Sequence, residues 1–415
     1  MTKKIKRELL TELKKYLNIK EILIITGPRQ CGKTTVMKFL KESLDQKGQK
    51  TLYLSLDIEK DKPHFVSASA LINKIKLEIG DKKAYIFIDE IQRKENSGLF
   101  LKGLYDMNLP YKFIVSGSGN LELKEKIHES LAGRKLIFNL NTLNFKEFVN
   151  YKTDYQYEGK WAEFFKINSE QGEALLKEYL VFGGYPRIVL ASTYEEKIRF
   201  LDEIYKSYLE KDIAFWLNVG KVEEFSNLIK LISSQVGRTV NYSELANTLN
   251  LSQIYVKKYL FYLEKTFIIS KLTPFFTNPR KELSKAPLYY FFDLGLKNYV
   301  LGEANPLEKK DEAGYLFENF VHNALKDKTS YSTDKLNFWR TKNGAEINFV
   351  LQTGEGLIPY EAKFKNLKQP QLGRSIHSFI DTYSPSKVFI INKSWSHKQK
   401  KGATNIIFSP FRELF

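Results

Sequence analysis

Residues 27–35, GPRQCGKTT, constrain this chain more than any other stretch. Gly27, Gly32, Lys33 and Thr34 stand at the spacing G-x-x-x-x-G-K-T. The preceding EILIIT is a short isoleucine-rich run, suited to a parallel strand buried on both faces. The following VMKFLKESL places Val36, Phe39, Leu40 and Leu44 at helical spacing. A glycine loop between strand and helix turns its backbone N–H groups inward and adds the positive end of the helix, which makes an anion site. In that context Gly27, Pro28, Arg29, Gln30, Cys31, Gly32, Lys33, Thr34 and Thr35 read as a phosphate cradle. Lys33 would reach the β- and γ-phosphates, and the Thr34 hydroxyl would ligate Mg²⁺.

The surrounding residues 21–150 alternate apolar runs with helical stretches. EILIIT, TLYLSLD, AYIFIDE, KFIVSGS and KLIFNL are five expected strands of a parallel α/β domain. YIFIDE ends in Asp89 and Glu90, at the carboxyl edge of the sheet where α/β ligands bind. Asp89 is suited to the Mg²⁺ shell and Glu90 to polarising an attacking water, so the pair implies ATP or GTP hydrolysis. The next strand ends in VSGSGN, where Ser116 or Ser118 could sense the γ-phosphate, unless it is an ordinary Gly/Ser turn. In LAGRK, Arg134 is placed to reach a neighbouring subunit's nucleotide.

The net charge of +17 favours an anionic partner, nucleic acid before membrane. A generally lysine-rich background would be the bland explanation. The single cysteine, Cys31, cannot form an internal disulfide, which fits a reducing cytoplasm. The basic start MTKKIKRELLTELKKYLN lacks the apolar region of a signal peptide. No apolar run approaches the length of a membrane span. Ile5, Leu9, Leu13 and Leu17 share one helical face that should pack on the first domain.

Residues 151–225 read as helical. Residues 226–300 change character. NYSELANTLNLSQIYVKKYLFYLEK carries two short helices, the first capped by Ser243 and the second by Ser252. Leu245, Ala246, Leu249, Val256, Leu260 and Leu263 point inward. A strand pair, FIISKL and LYYFFD, follows. The pattern is a winged helix-turn-helix. Gln253, Tyr255, Lys257 and Lys258 face outward and suit phosphate contact with DNA, although such units also serve as protein–protein spacers.

Taken together, GPRQCGKTT, YIFIDEIQ, IVSGSGN, LAGRKLIFNL and YLVFGGYPRIVL resemble the prokaryotic AAA+ ATPases that carry a restriction-endonuclease-like domain at the C-terminus. The resemblance covers nearly the whole chain. It implies that Ser116 and Ser118 match the first sensor segment and Arg134 the arginine-finger region. It also implies that GGYPR is a lid motif, with Pro186 on the base and Arg187 approaching the phosphates. Taken alone, GGYPR would be a helix–helix turn.

From about 301 a third unit begins. GYLFENFVHNALK is a helix carrying Glu318, and AEINFVL and LIPYEAKF are strands joined through QTGEG. A two-residue turn at Gly354-Glu355 pairs positions whose numbers sum to 709. That sets Asn348 opposite Glu361 and Glu346 opposite Lys363, all on one face. The cluster resembles the metal site of PD-(D/E)xK nucleases, with Glu361-Ala362-Lys363 as its second half. Asn348 stands where that family carries Asp. A neutral amide is a poor ligand for a hard cation, so a degenerate site is expected even if Glu346 partly substitutes. A Glu–Lys pair on an ordinary sheet is the alternative. Beyond Lys363, Trp395 and His397 sit among lysines, either for phosphate attraction and stacking or as a solvated face.

The expected fold is therefore α/β: a AAA+ P-loop core (1–150), a helical lid and connector (151–225), a winged helix-turn-helix (226–300) and a C-terminal α/β nuclease-like domain (301–415). The expected function is ATP binding and hydrolysis with Mg²⁺, acting on or binding DNA, in a cytoplasmic homo-oligomer that could be a ring, with no membrane partner. The alternative is a nucleotide-dependent switch or scaffold with protein partners and slow hydrolysis.

Overall fold

The computed structural model describes residues 4–118, 131–208, 222–278, 282, 285–305, 307 and 310–415, with side chains 310–312 excepted. The first unit is an all-parallel sheet of order β2-β3-β4-β1-β5. Its strands are β1 (Ile22–Gly27), β2 (Thr51–Ser55), β3 (Ala84–Asp89), β4 (Tyr111–Ser118) and β5 (Lys135–Asn139). Every residue of β1, β3 and β4 is buried, because helices cover both faces. Side chains alternate between two cores. Ile22, Ile24, Ile86, Ile88 and Val115 fill one face, and Leu23, Ile25, Phe87, Ile114 and Phe138 fill the other.

The helices α1 (Glu8–Lys15), α2 (Lys33–Asp45), α3 (Ala68–Ile79) and α4 (Ser97–Asp106) surround this sheet. In α1, Leu13 is fully buried against the second core, and Leu9 packs beside it. The register sets the carboxyl ends of the strands together. Gly27 lies beside Ser118, and Ser55 beside Asp89.

The helical segment comprises α5 (Phe145–Lys152), α6 (Trp161–Ile167), α7 (Ser169–Phe182), α8 (Pro186–Leu190) and α9 (Tyr194–Ser207), followed by α10 (Val222–Ser234). Reciprocal capping boxes start two of them. Asn144 pairs with Glu147 at α5, and Thr193 with Glu196 at α9. The remainder of the expected helical run, 209–221, lies outside the described residues.

Next come α11 (Tyr242–Thr248) and α12 (Gln253–Lys265), then the antiparallel pair β6 (Ile269–Leu272) and β7 (Leu288–Phe291), then α13 (Leu294–Leu301). All six inward positions expected of the two short helices are buried. The cap of α11 differs from expectation. Asn241, not Ser243, accepts from the backbone N–H groups of Ser243 and Glu244. Asn241 stands immediately before the first helical residue, where a capping side chain reaches the backbone donors two and three residues on, whereas Ser243 lies inside the first turn. Ser252 caps α12 as expected.

The C-terminal unit runs α14 (Lys310–Lys328), β8 (Lys335–Arg340), β9 (Glu346–Thr353), β10 (Gly356–Ala362), α15 (Arg374–Tyr383), β11 (Lys387–Asn392), β12 (His397–Lys401) and β13 (Thr404–Pro410). The sheet order is β12-β13-β11-β10-β9-β8, antiparallel through β8-β9-β10 and parallel from β10 to β11. Its first six elements follow the order α-β-β-β-α-β. One continuous core joins Phe145 and the helical segment to Phe291, Phe317, Phe320 and Phe411. The Phe145 ring meets Phe320 at 5.3 Å and Phe411 at 5.7 Å, so aromatic edges tie the helical segment to the last unit. Among the described residues, no helix is long and apolar enough to cross a membrane.

Candidate functional site

The loop between β1 and α2 passes so close to Leu140 that a Cβ on residue 27 would lie 2.0 Å from its carbonyl oxygen. Only glycine fits there. Gly32 has φ of 99°, the left-handed region that glycine enters freely, and it opens α2. Lys33 is buried, and its ammonium donates to the carbonyls of Gly27 (3.1 Å) and Pro28 (2.7 Å). Thr34 Oγ1 donates to Asp89 Oδ2 at 2.8 Å, which joins the loop to the end of β3. A hydroxyl and a carboxylate oxygen at this junction are the hard-oxygen set that Mg²⁺ prefers. Thr34 and Asp89 would therefore hold such an ion.

Asp89 is also held from two sides that the sequence did not reveal. Tyr53 OH donates to its Oδ2 at 2.5 Å, and Ser116 donates to its Oδ1. Burial and the hydrogen bond to Asp89 push the Tyr53 hydroxyl well above its ordinary range, so it acts as a fixed donor. Ser116 Oγ further accepts from the backbone N–H of Glu90 at 3.2 Å. Ser116 is thus fully committed to positioning Asp89 and Glu90. Ser118 differs. Its Oγ is buried beside Gly27 and has no hydrogen-bond partner among the described residues.

Glu90 has φ of 59°, a left-handed conformation uncommon for a residue with a Cβ. This turns its carboxylate off the line of β3. Gln92 bridges it to the neighbouring strand: Gln92 Nε2 donates to Glu90, and Gln92 Oε1 accepts from Ser118 N at 3.2 Å.

Another side chain, outside every motif in the sequence, braces the loop from behind. Buried Arg7 donates to the Cys31 carbonyl (2.8 Å), the Asn141 carbonyl (2.7 Å) and Glu147 Oε2 (2.9 Å). Arg7 and Pro186 both lie 3.8 Å from where a Gly32 Cβ would stand. Pro186 is therefore against the loop. Arg187 turns away, pairs with Glu203 and stacks 3.8 Å over the Phe200 ring. The glycines of GGYPR have packing reasons. A Cβ on Gly183 would strike Asp293 at 2.2 Å, and one on Gly184 would strike the Leu143 carbonyl at 2.1 Å. Asp293 accepts from Gly184 N at 2.8 Å, and burial pushes its carboxyl up to about 6.

Arg134 sits at the foot of β5, where its carbonyl accepts from Ile22 N. The loop lies at the other end of the same sheet, beyond Asn139, about 16 Å along the strand at ~3.3 Å per residue. Its guanidinium pairs with Asp106 at 2.9 Å and lies over Tyr105. Arg134 is therefore on the far side of the domain from its own phosphate loop.

Around α12 the four residues expected at a DNA surface divide. Gln253 and Lys257 line a cleft toward β6 and β7, and Gln253 donates to Ser243 Oγ at 3.0 Å. Tyr255 and Lys258 lie outside that cleft, against Tyr259 and Tyr262.

In the C-terminal sheet, β9 and β10 pair at positions summing to 709, from Gly356 with Thr353 to Tyr360 with Phe349. At the next position the ladder ends. Asn348 Oδ1 accepts from Ala362 N at 2.9 Å, and Asn348 Nδ2 donates to Glu318 Oε2 at 2.9 Å. Tyr290 OH from β7 donates to Glu318 Oε1 at 2.6 Å. Lys363 pairs with Glu361 at 2.9 Å, and Arg340 lies 3.6 Å from Glu346. Burial, with Glu346 and Glu361 nearby, pushes Glu318 up to about 8. Burial also raises Glu346. A Cβ on Gly237 would come within 2.8 Å of Glu318, so the connector before α11 packs over the cluster. The residues do converge, but they fit a metal poorly. Both ends of Asn348 are engaged, Glu318 favours its neutral form, and among the described residues no group of three His, Cys, Asp or Glu side chains is arranged to hold an ion. Trp395 is likewise occupied, stacked on His397 at 5.0 Å and edge-on to Phe408.

Comparison with known proteins adds an independent line to this geometry. Residues 19–149 match the AAA domain. Residues 173–307 and 313–413 match two domains of unknown function, DUF8612 and DUF4143. An uncharacterized protein of Haemophilus influenzae is 26% identical over 410 residues, covering 95% of this chain and 94% of that one. An uncharacterized protein of Mycobacterium tuberculosis is 25% identical over 389 residues, covering 93% and 79%. One of Methanocaldococcus jannaschii is 26% identical over 343 residues, covering 80% and 72%. A solved structure of the replication initiator DnaA bound to AMPPCP and single-stranded DNA aligns over 63% of this chain and 90% of that chain, at 15% identity and a TM-score of 0.29. The AAA domain match and the loop geometry together support an ATP-binding protein.

Proposed function

We propose that the chain is a Mg²⁺-dependent ATPase whose turnover is coupled to DNA. The observation that carries this reading is the junction of Thr34 with Asp89 beside buried Lys33. In this reading Lys33 offsets the charge of the β- and γ-phosphates. Thr34 and Asp89 hold the metal, which neutralises charge developing on the phosphates. Glu90, aimed off the strand, polarises the attacking water, and the Ser118 hydroxyl contacts the γ-phosphate. Tyr53 and Ser116 keep Asp89 in place. Arg134 cannot reach its own nucleotide, so it serves a neighbouring subunit in a homo-oligomer. Pro186 carries contact from the loop to the lid.

The helix-turn-helix and strand pair, α11 to β7, read as the DNA-binding unit. The α-β-β-β-α-β order and the Glu361-Lys363 strand end support a nuclease-like C-terminal fold. The committed hydrogen bonds of Asn348 make that fold catalytically silent, a structural partner rather than a cleaving one. The test is ATP turnover in Mg²⁺ with and without single-stranded, duplex and branched DNA. A rise with DNA is expected. Turnover indifferent to all three would favour a nucleotide-dependent switch acting on proteins.

A further inference from the structure

The cleft behind α12 carries more than the four outward residues suggested. It encloses about 770 Å³, within the range of ligand clefts. Lys257 from α12, Lys271 from β6 and Lys285 just before β7 converge on it. Among the described residues no carboxylate lies within ion-pair distance of any of the three, and Glu264 is the one acid lining the cleft. Lys257 stands 5.4 Å over the Tyr242 ring, whose hydroxyl meets that of Tyr289 at 3.1 Å in the cleft wall. Phe261 also lines the cleft and remains 40% exposed, with the Lys265 ammonium 5.2 Å from its ring centre.

Unpaired cations alone would suit any polyanion. The exposed ring narrows the choice. In a duplex the base faces are closed by stacking, and the outer surface offers phosphates and base edges. A solvent-facing phenyl beside lysines has a partner only where bases are unstacked. We propose that this cleft is a single-stranded DNA site, in which Lys257, Lys271 and Lys285 track the phosphates and Phe261 stacks a base. The proposal rests on the reading of this unit as DNA-binding and locates the site within it. It moves the contact surface from the outer stripe of α12, where Tyr255 and Lys258 lie, to the face between α12 and the strand pair.

The test is fluorescence anisotropy on the full chain, with a labelled oligo(dT) strand and a duplex of equal length across a salt series. Wild type should bind the strand more tightly than the duplex. Lys257→Ala, Lys271→Ala and Lys285→Ala combined should weaken strand binding at least tenfold and flatten the slope of log K against log [salt] by about 2 units, at ~0.7 per phosphate contact. Phe261→Ala should weaken binding without changing that slope, because stacking releases no counterion. Basal ATP turnover and melting temperature should stay at wild-type values in both variants. Lys398→Ala with Lys400→Ala removes charge elsewhere and should change little. If that control costs as much as the cleft variants, or if the duplex is preferred, the cleft assignment is overturned while DNA binding stands. If neither probe binds at low salt, the DNA reading itself fails.

Discussion

The phosphate loop and the C-terminal polar cluster are built from the same residue types, yet they do opposite things with them. In the loop, hydroxyls and a carboxylate are held by neighbours at the back of the site. Ser116 and Tyr53 fix Asp89, Arg7 fixes Cys31, and Ser118 Oγ has no partner among the described residues. In the cluster, most groups are spent on one another, although the buried Glu361 Oε2 has no partner among the described residues. Glu318 takes Tyr290 and Asn348, Asn348 takes Ala362, and Lys363 takes Glu361. Convergence of polar side chains therefore does not distinguish a reactive site from an internal joint. What distinguishes them is that Asn348 and Glu318, which stand where a metal would be held, have both polar ends engaged within the protein.

The largest effect expected from breaking this contrast is at the loop. Lys33→Ala should reduce ATP affinity by a hundredfold or more, read by titration with a fluorescent ATP analogue, because it removes the buried ammonium placed to offset the β- and γ-phosphates. Glu90→Gln should leave affinity within about twofold and lower kcat by roughly 10²–10⁴, the usual worth of a general base. Next in size is Arg134→Ala, which should lower turnover on the order of 10³-fold at unchanged affinity. Mixing it with Glu90→Gln subunits should restore part of the activity, since some interfaces would regain both groups. Without restoration, the position of Arg134 on the far side of its own domain would need another explanation.

The cluster should respond in stability rather than in rate. Asn348→Asp replaces the donor facing Glu318 with a second carboxylate. It should cost roughly 1–3 kcal/mol, seen as a lower thermal midpoint at pH 8, and it should produce no Mg²⁺-dependent cleavage. A gain of cleavage would mean that the joint is one substitution away from a metal site. The smallest effect is on pH dependence. The Glu318 carboxyl is raised from its ordinary value to about 8. Stability from its neutral form is full below about pH 4.5 and declines as pH rises toward 8. Glu318→Gln mimics that neutral form. The thermal midpoint of wild type relative to this variant should therefore fall by a few degrees between pH 5 and pH 8. Parallel curves would show that the carboxyl is not raised.

Local order was legible in the sequence where local physics decides it. The isoleucine runs fixed three buried strands, and the two-residue turn at Gly354-Glu355 set the β9–β10 register, since each side chain must fall on one face or the other. Asn348 was legible as a departure from Asp. The sharing of both its ends was not, because Glu318 comes from a helix thirty positions away. The same holds for Arg7 and Tyr53, and for the contact of Asp293 with Gly184, whose partners lie on other elements and leave no periodic signal, although the cap of Asp293 on Leu296 N is local. Ser116 and Ser118 looked equivalent in VSGSGN. Only the fold shows that one is committed to Asp89 and Glu90 while the other is not. The cleft behind α12 was half legible: Gln253 and Lys257 share a helical face, but Lys271, Lys285, Tyr242 and Tyr289 arrive from three further segments.

The most direct measurement sets the two sites against each other in one tube. Purified wild type is incubated with ATP, Mg²⁺ and DNA, and phosphate release and DNA integrity are followed together. Phosphate release that is lost in Glu90→Gln, with DNA left intact in wild type and in Glu361→Ala alike, is the predicted result. DNA nicking that disappears in Glu361→Ala, alongside phosphate release indifferent to Glu90→Gln, would contradict the account.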